Sequence, residues 1–214
     1  MKNALLSKTS QKLAILTLMT FMSFSITAQV TFMDSVCAGT QDKVYGIMNS
    51  EPTSTYTWWL SDPTAGTIDN TIATNDSLIE IDWGLAPGTY TLYSVEASLD
   101  GCYGDTVQLD IVVHPLPTAL VVSDSVCENF SATLTFDLSG QAPWTIDYTD
   151  GTNNFTVVAN ATPFILSTSP YSSSQTITVT GVTDGYSCAA DPGGLPSTLV
   201  HIYPRPATGA IYHY

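Results

Sequence analysis

The sequence predicts an all-β chain built as two tandem β-sandwiches, and three observations predict it. Short runs alternate apolar and polar residues, turn residues break these runs, and four signals recur in the same order. Asp34-Ser35-Val36-Cys37 returns as Asp124-Ser125-Val126-Cys127, 90 residues on. Trp58 is answered by Trp144 at an offset of 86, and Cys102 by Cys188, also at 86. Pro115-Leu116-Pro117 is answered by Pro204-Arg205-Pro206 at 89. A duplicated module of this length falls within the usual size of a domain. It divides the chain into a leader (1–28), domain 1 (29–115), domain 2 (116–206) and a tail (207–214).

The leader reads as a secretory signal peptide. Lys2, Lys8 and Lys12 form a basic start, Leu13 to Ile26 an apolar run, and Ile26-Thr27-Ala28 a small-residue cleavage site. An uncleaved membrane anchor is the alternative, since the apolar run falls only somewhat short of a full span. Removal of the leader takes three of the five basic residues and none of the 19 acidic ones, leaving Lys43, Arg205 and a net charge of −17. Such a surface repels nucleic acid and anionic lipid, so neither is an expected partner. No direct membrane insertion is expected once the signal is gone.

In the first copy, Val44–Met48, Thr55–Leu60, Leu78–Trp83, Thr89–Ala97 and Thr106–Val113 read as strands. Ile79, Ile81 and Trp83 alternate with Glu80 and Asp82, and Val107, Leu109, Ile111 and Val113 alternate with Gln108 and Asp110. In Thr55–Leu60, Tyr56, Trp58 and Leu60 share one face and Thr57 and Trp59 the other. The second copy repeats the scheme over Ala132–Leu138, Trp144–Tyr148, Phe155–Ala159, Phe164–Ser167, Gln175–Val182 and Ser197–Tyr203. Six or seven short strands per copy, with a Cys…Trp…Cys order, point to an immunoglobulin-like sandwich in each half. Pro115-Leu116-Pro117 supplies a short, stiff joint between them.

Four cysteines in an exported chain imply disulfides, and four permit three connectivities. A pair closed within each copy is the pattern the duplication favours. The expectation is therefore one intradomain disulfide each, Cys37–Cys102 and Cys127–Cys188, formed in an oxidising compartment.

Val36-Cys37-Ala38-Gly39, Tyr56-x-Trp58, Ile79-x-Ile81-x-Trp83, Gly88-Thr89-Tyr90 and Gly101-Cys102 together resemble the PKD-like, Ig-like domains of Bacteroidetes cell-surface proteins. The second copy is more distant, with Glu128 in place of the first copy's small residue after cysteine. Such modules occur in gliding-motility adhesins and other cargo of the type IX secretion system. The resemblance implies an exported protein at the cell surface or outer membrane, or released outside the cell, with the periplasm as the alternative. The ending Pro204-x-Pro206-x-Thr208-x-x-Ile211-Tyr212-His213 is similar to that of small proteins accompanying PorP/SprF-type barrels. The partners it implies are a PorP/SprF-like barrel or a large repeat adhesin. Ser35, Ser77, Thr106 and Ser125, each after an aspartate, are similar to the O-glycosylation acceptors of that group.

No nucleophile–base pair, metal-ligand spacing or phosphate loop is present, so no enzyme activity, no cofactor and no metal is expected. Asp147–Asn154 carries several oxygen ligands but lacks the pattern of a calcium loop, and an Asp-Gly hairpin accounts for it better. The expected role is that of a non-catalytic surface adaptor. Its partner-binding element would be the aromatic tail Ile211, Tyr212, His213 and Tyr214, able to add to a sheet edge. The alternative is a carbohydrate-binding module using Trp59, which alternation places on the outer face.

Overall fold

The computed structural model describes residues 33–213 apart from 49 and 74. The signal segment and Tyr214 lie outside the described residues. Two sandwiches follow one another. The first has β1 (Met33–Cys37), β2 (Lys43–Gly46), β3 (Thr55–Leu60), β4 (Gly66–Asp69), β5 (Leu78–Trp83), β6 (Gly88–Ala97) and β7 (Val107–His114). Its sheets run β1-β7-β6-β3 and β2-β5-β4. This is the two-sheet arrangement of an immunoglobulin-like domain, with β1 lying parallel to the last strand.

The second sandwich has β8 (Ala119–Ser123), β9 (Ser125–Cys127), β10 (Thr133–Leu138), β11 (Trp144–Thr149), β12 (Asn154–Ala159), β13 (Phe164–Ser167), β14 (Gln175–Thr183) and β15 (Ser197–Tyr203). Its sheets run β13-β10-β8 and β12-β11-β14-β15-β9. The first segment changes sheet at Asp124: β8 pairs with β10, while β9 lies parallel to β15.

Strand alternation places the cores. Ile79, Ile81 and Trp83 point inward from β5 to meet Leu92, Ile111 and Val113. Leu134, Phe136 and Leu138 of β10 meet Ile146, Ile177, Val179 and Val200. The fully enclosed tryptophan of the first sandwich is Trp83, 1% exposed, whereas Trp58 is half-buried and only borders that core. Trp58 occupies the expected face, but its indole N–H reaches the Asp76 carbonyl at 2.7 Å and so stays near the rim. Trp144 does sit in its core and donates to the Ser139 carbonyl at 2.8 Å. The Asp-Gly hairpin is present between β11 and β12. Asp150 accepts from the backbone N–H groups of Thr152 and Asn153 at 2.9 and 2.7 Å, and Gly151 takes a φ of 86°.

The cysteine pairing differs from expectation. The bond joins Cys37 to Cys188, 151 residues apart, and Cys102 and Cys127 are free and exposed. Strand direction explains why neither Cys37–Cys102 nor Cys127–Cys188 forms. Cys37 stands opposite His114 at the end of β7, whereas Cys102 lies in the loop before Val107, at the start of β7. The length of β7 separates them by about 23 Å at roughly 3.3 Å per residue, far beyond the Cα spacing of about 7 Å that a bridge can span. Cys127 likewise stands opposite Tyr203 at the far end of β15, while Cys188 follows β14 at the near end.

Cys37 and Cys188 both face the junction, one from each sandwich. Non-reducing peptide mapping of the protein should recover a Cys37–Cys188 crosslink. In the monomeric chain kept from oxidants, Cys102 and Cys127 should take up alkylating reagent without denaturant; a Cys37–Cys102 peptide would contradict the arrangement.

The Asp150 carboxyl is held below its ordinary value, chiefly by the Asn153 backbone N–H. A carboxylate depressed in the folded state stabilises above its unfolded pKa of about 3.9, and that stabilisation is lost as pH falls through the lower folded value. Asp150→Asn should therefore lower the urea midpoint at neutral pH. The gap from the parent should close progressively below about pH 4, a profile that paired titrations can check.

Candidate functional site

The junction is the most constructed feature of the molecule. Its centre is Asp184, buried in the loop after β14. One carboxylate oxygen accepts from the backbone N–H of Tyr186 and of Cys188, both at 3.0 Å, and the other accepts from Gln141 N–H at 3.1 Å. Gly185 N–H donates to the Gln141 carbonyl at 2.7 Å. Charged acceptors of this kind make the stronger hydrogen bonds, and here they lock two loops together. Gly140 is required beside them: it takes a φ of 95°, and a Cβ there would stand 2.7 Å from the Asp184 carboxylate.

The locked loop presents two groups to the first sandwich. Cys188, wholly enclosed, bonds Cys37. Tyr186 stacks its ring on that of His114, with centroids 3.7 Å apart and planes at 10°. On the opposite side, β1 ends where Ala38 N–H meets the His114 carbonyl at 2.8 Å, and Gly39 turns away at a φ of 76°. Leu116 of the proline joint packs against the first core, while Pro117 is buried. The joint is thus fastened by a covalent bond, a ring stack and a packed leucine.

The surface positions singled out in the sequence are scattered. Trp59 lies on the outer face of the edge strand β3, 39% exposed, and stacks on Tyr93 of β6 with centroids 5.4 Å apart and planes at 16°. The two stand directly opposite in the strand register. No sequence signal marked Tyr93, because its partner is set by register. The tail from Pro204 carries no strand over its described residues; Ile211 is fully exposed and Tyr212 is 72% exposed.

Among the acceptor hydroxyls, Thr106 is exposed in a loop, and Ser35 and Ser125 are exposed on the edge strands β1 and β9. Ser77 is buried at 9% exposure, so it does not offer the surface hydroxyl a transferase needs. His114 is taken up by the junction, His201 meets Tyr203 edge-on, and His213 lies in the tail, so the structure brings no two of them together.

No family model matches the chain, and no curated protein does. Among solved structures, the fibronectin(III)-like modules of Clostridium thermocellum CbhA share 16% identity over 87% of this chain and 98% of theirs, at a TM-score of 0.41. The D00-D0 domain of Intimin shares 9% over 81% of this chain and 96% of its own, at 0.39. The N-terminal eight Ig domains of Down Syndrome Cell Adhesion Molecule share 13% over 81% of this chain and 23% of theirs, at 0.43. At these scores the likeness carries no argument, and the fold class rests on the strand order given above.

Asp184→Ala should lower the unfolding free energy by about 3 kcal/mol, since three backbone N–H groups lose a charged acceptor. Asp184→Asn should cost less, keeping one acceptor oxygen while turning an amide toward Gln141 N–H. Denaturant titration of the two variants beside the parent checks the order.

Proposed function

We propose that this chain is a non-catalytic adaptor and spacer of an exported, cell-surface assembly, acting through protein–protein contacts. The observation that supports it best is the bond between sandwiches. A disulfide inside one sandwich would stabilise a core, whereas Cys37–Cys188 fixes how one sandwich follows the next. A spacer needs a defined orientation more than extra core stability. The bond also fits an oxidising compartment, in keeping with the expected signal peptide.

The proposed contact element is the tail from Ile211 to Tyr214, which follows a proline-rich segment and offers apolar and aromatic side chains to a partner's sheet edge. The motif resemblance favours an outer-membrane, adhesion or gliding-associated setting, with a PorP/SprF-like barrel or a large repeat adhesin as partner. Deleting residues 207–214 tests the tail. Co-purification of surface partners with the parent should fall to background in the deletion, and undiminished recovery would end the docking role.

A second reading, a carbohydrate-binding module, is favoured by the stacked Trp59 and Tyr93 on an open face. On a glycan array, binding by the parent that disappears in Trp59→Ala would support it. Absence of binding by the parent would remove it.

A further inference from the structure

The free cysteines stand in the same local structures as the bonded ones. Cys37 closes β1 opposite His114, the next N–H (Ala38) donates to the His114 carbonyl at 2.8 Å, and Thr40 N–H returns to the Cys37 carbonyl at 3.1 Å. Cys127 closes β9 opposite Tyr203, the next N–H (Glu128) donates to the Tyr203 carbonyl at 2.8 Å, and Phe130 N–H returns to the Cys127 carbonyl at 3.1 Å. Each is followed two residues later by a positive φ, 76° at Gly39 and 65° at Asn129.

The other two correspond as closely. Cys188 accepts from Asp184 N–H at 3.0 Å and donates to the Asp184 side chain at 3.0 Å; Ser187 before it has a φ of 65°, and Ala189 after it bridges Thr183. Cys102 accepts from Ser98 N–H at 2.9 Å and donates to the Ser98 hydroxyl at 3.2 Å; Gly101 before it has a φ of 80°, and Tyr103 after it bridges Ala97. Cys127 therefore occupies the Cys37 position on the second sandwich, and Cys102 the Cys188 position on the first. Strand directions put them at the two outer ends of the pair, both exposed, so they cannot meet within one chain.

We propose that Cys127 of one copy bonds Cys102 of a second copy, repeating the Cys37–Cys188 joint between chains and linking copies head to tail. The observed bond is the evidence for the pairing: the same two local structures are already joined once in every chain. Charge disfavours one alternative. The Cys127 end carries the chain's one arginine, Arg205, held 5.4 Å over the exposed Phe130 ring, beside Asp124 and Glu128. The Cys102 end carries exposed Asp100 and Asp105. Two Cys102 ends would bring like charges together, which opposes self-pairing. The ring stack of the internal joint has no copy here, because Tyr203 stands for His114 and Asp100 for Tyr186. The bond between chains would form with a phenol–carboxylate contact instead.

Closing the bond oxidises two thiols and needs a disulfide oxidant, RSSR. The Cys102 thiolate displaces one RS⁻ to give a mixed disulfide, the Cys127 thiolate attacks the Cys102 sulfur and displaces the second RS⁻, and the two thiol protons end on the released thiols. This linkage goes beyond the adaptor reading and survives if the tail binds nothing.

The test uses the exported chain with oxidised glutathione, followed on non-reducing gels. The parent should form a ladder of dimers, trimers and longer species that dithiothreitol collapses. Mixed isotopically heavy and light copies should yield Cys102–Cys127 crosslinks spanning both labels. Cys102→Ser mixed with Cys127→Ser should stop at a heterodimer, formed about tenfold faster than either variant dimerises alone. Equal rates for homodimers and heterodimer would overturn the proposal, as would a parent that stays monomeric with both thiols free.

Discussion

The bond between Cys37 and Cys188 governs the arrangement of everything else, and it depends on a carboxylate that neither sulfur touches. Asp184 gathers three backbone N–H groups and so fixes the loop that carries Cys188 and Tyr186 toward the first sandwich. Each sandwich has its own apolar cluster and shares no core residue with its neighbour. The disulfide, the Tyr186–His114 stack and Leu116 of the proline joint therefore set the relation between them. Small sandwiches with separate cores would otherwise tend to move independently, as weakly packed neighbours do.

Much of the strand layout was legible in the sequence. Thr55–Leu60, Leu78–Trp83, Phe164–Ser167 and Ser197–Tyr203 appear with the expected limits, because each is bounded by turn residues and alternates cleanly or is rich in β-branched and aromatic side chains. The strands not foreseen include β1, β4 and β9. β1 and β9 are short and lie on the Asp-Ser-Val-Cys motif, which reads as turn chemistry until a parallel neighbour supplies its hydrogen bonds. Those two strands also decide the cysteine geometry. Without knowing that β1 runs parallel to β7, nothing in the spacing of Cys37 and Cys102 reveals that they sit at opposite ends.

Duplication does not single out a pairing within each copy. A pattern closed within each copy repeats perfectly, but so does a pattern that joins each copy to the next and leaves one cysteine open at either end. The second choice has a physical cost only where the open ends go unpaired. The site was less legible than the fold for the same reason: Tyr93 beside Trp59, and Tyr186 beside His114, are neighbours by register and loop shape. Electrostatics were clearer. The two cations outside the signal segment are both engaged, Lys43 with Asp34 at 3.5 Å and Arg205 with Phe130, so the charges left over are acidic.

The parallel strand β1 and the bond at its end have a mechanical consequence. Tension applied between Met33 and Tyr203 enters through residues 33–37, crosses the sulfur bridge, and leaves through residues 188–203. Residues 38–187, with nearly all of both cores, hang outside that route. Even if every non-covalent contact gave way, the intact bridge would limit the stretched length to about 70 Å, against about 600 Å for the open chain. Traction would be met first by the ladders binding β1 to β7 and β15 to β14. The two sandwiches would thus be shielded from forces that unravel modules strung on backbone alone.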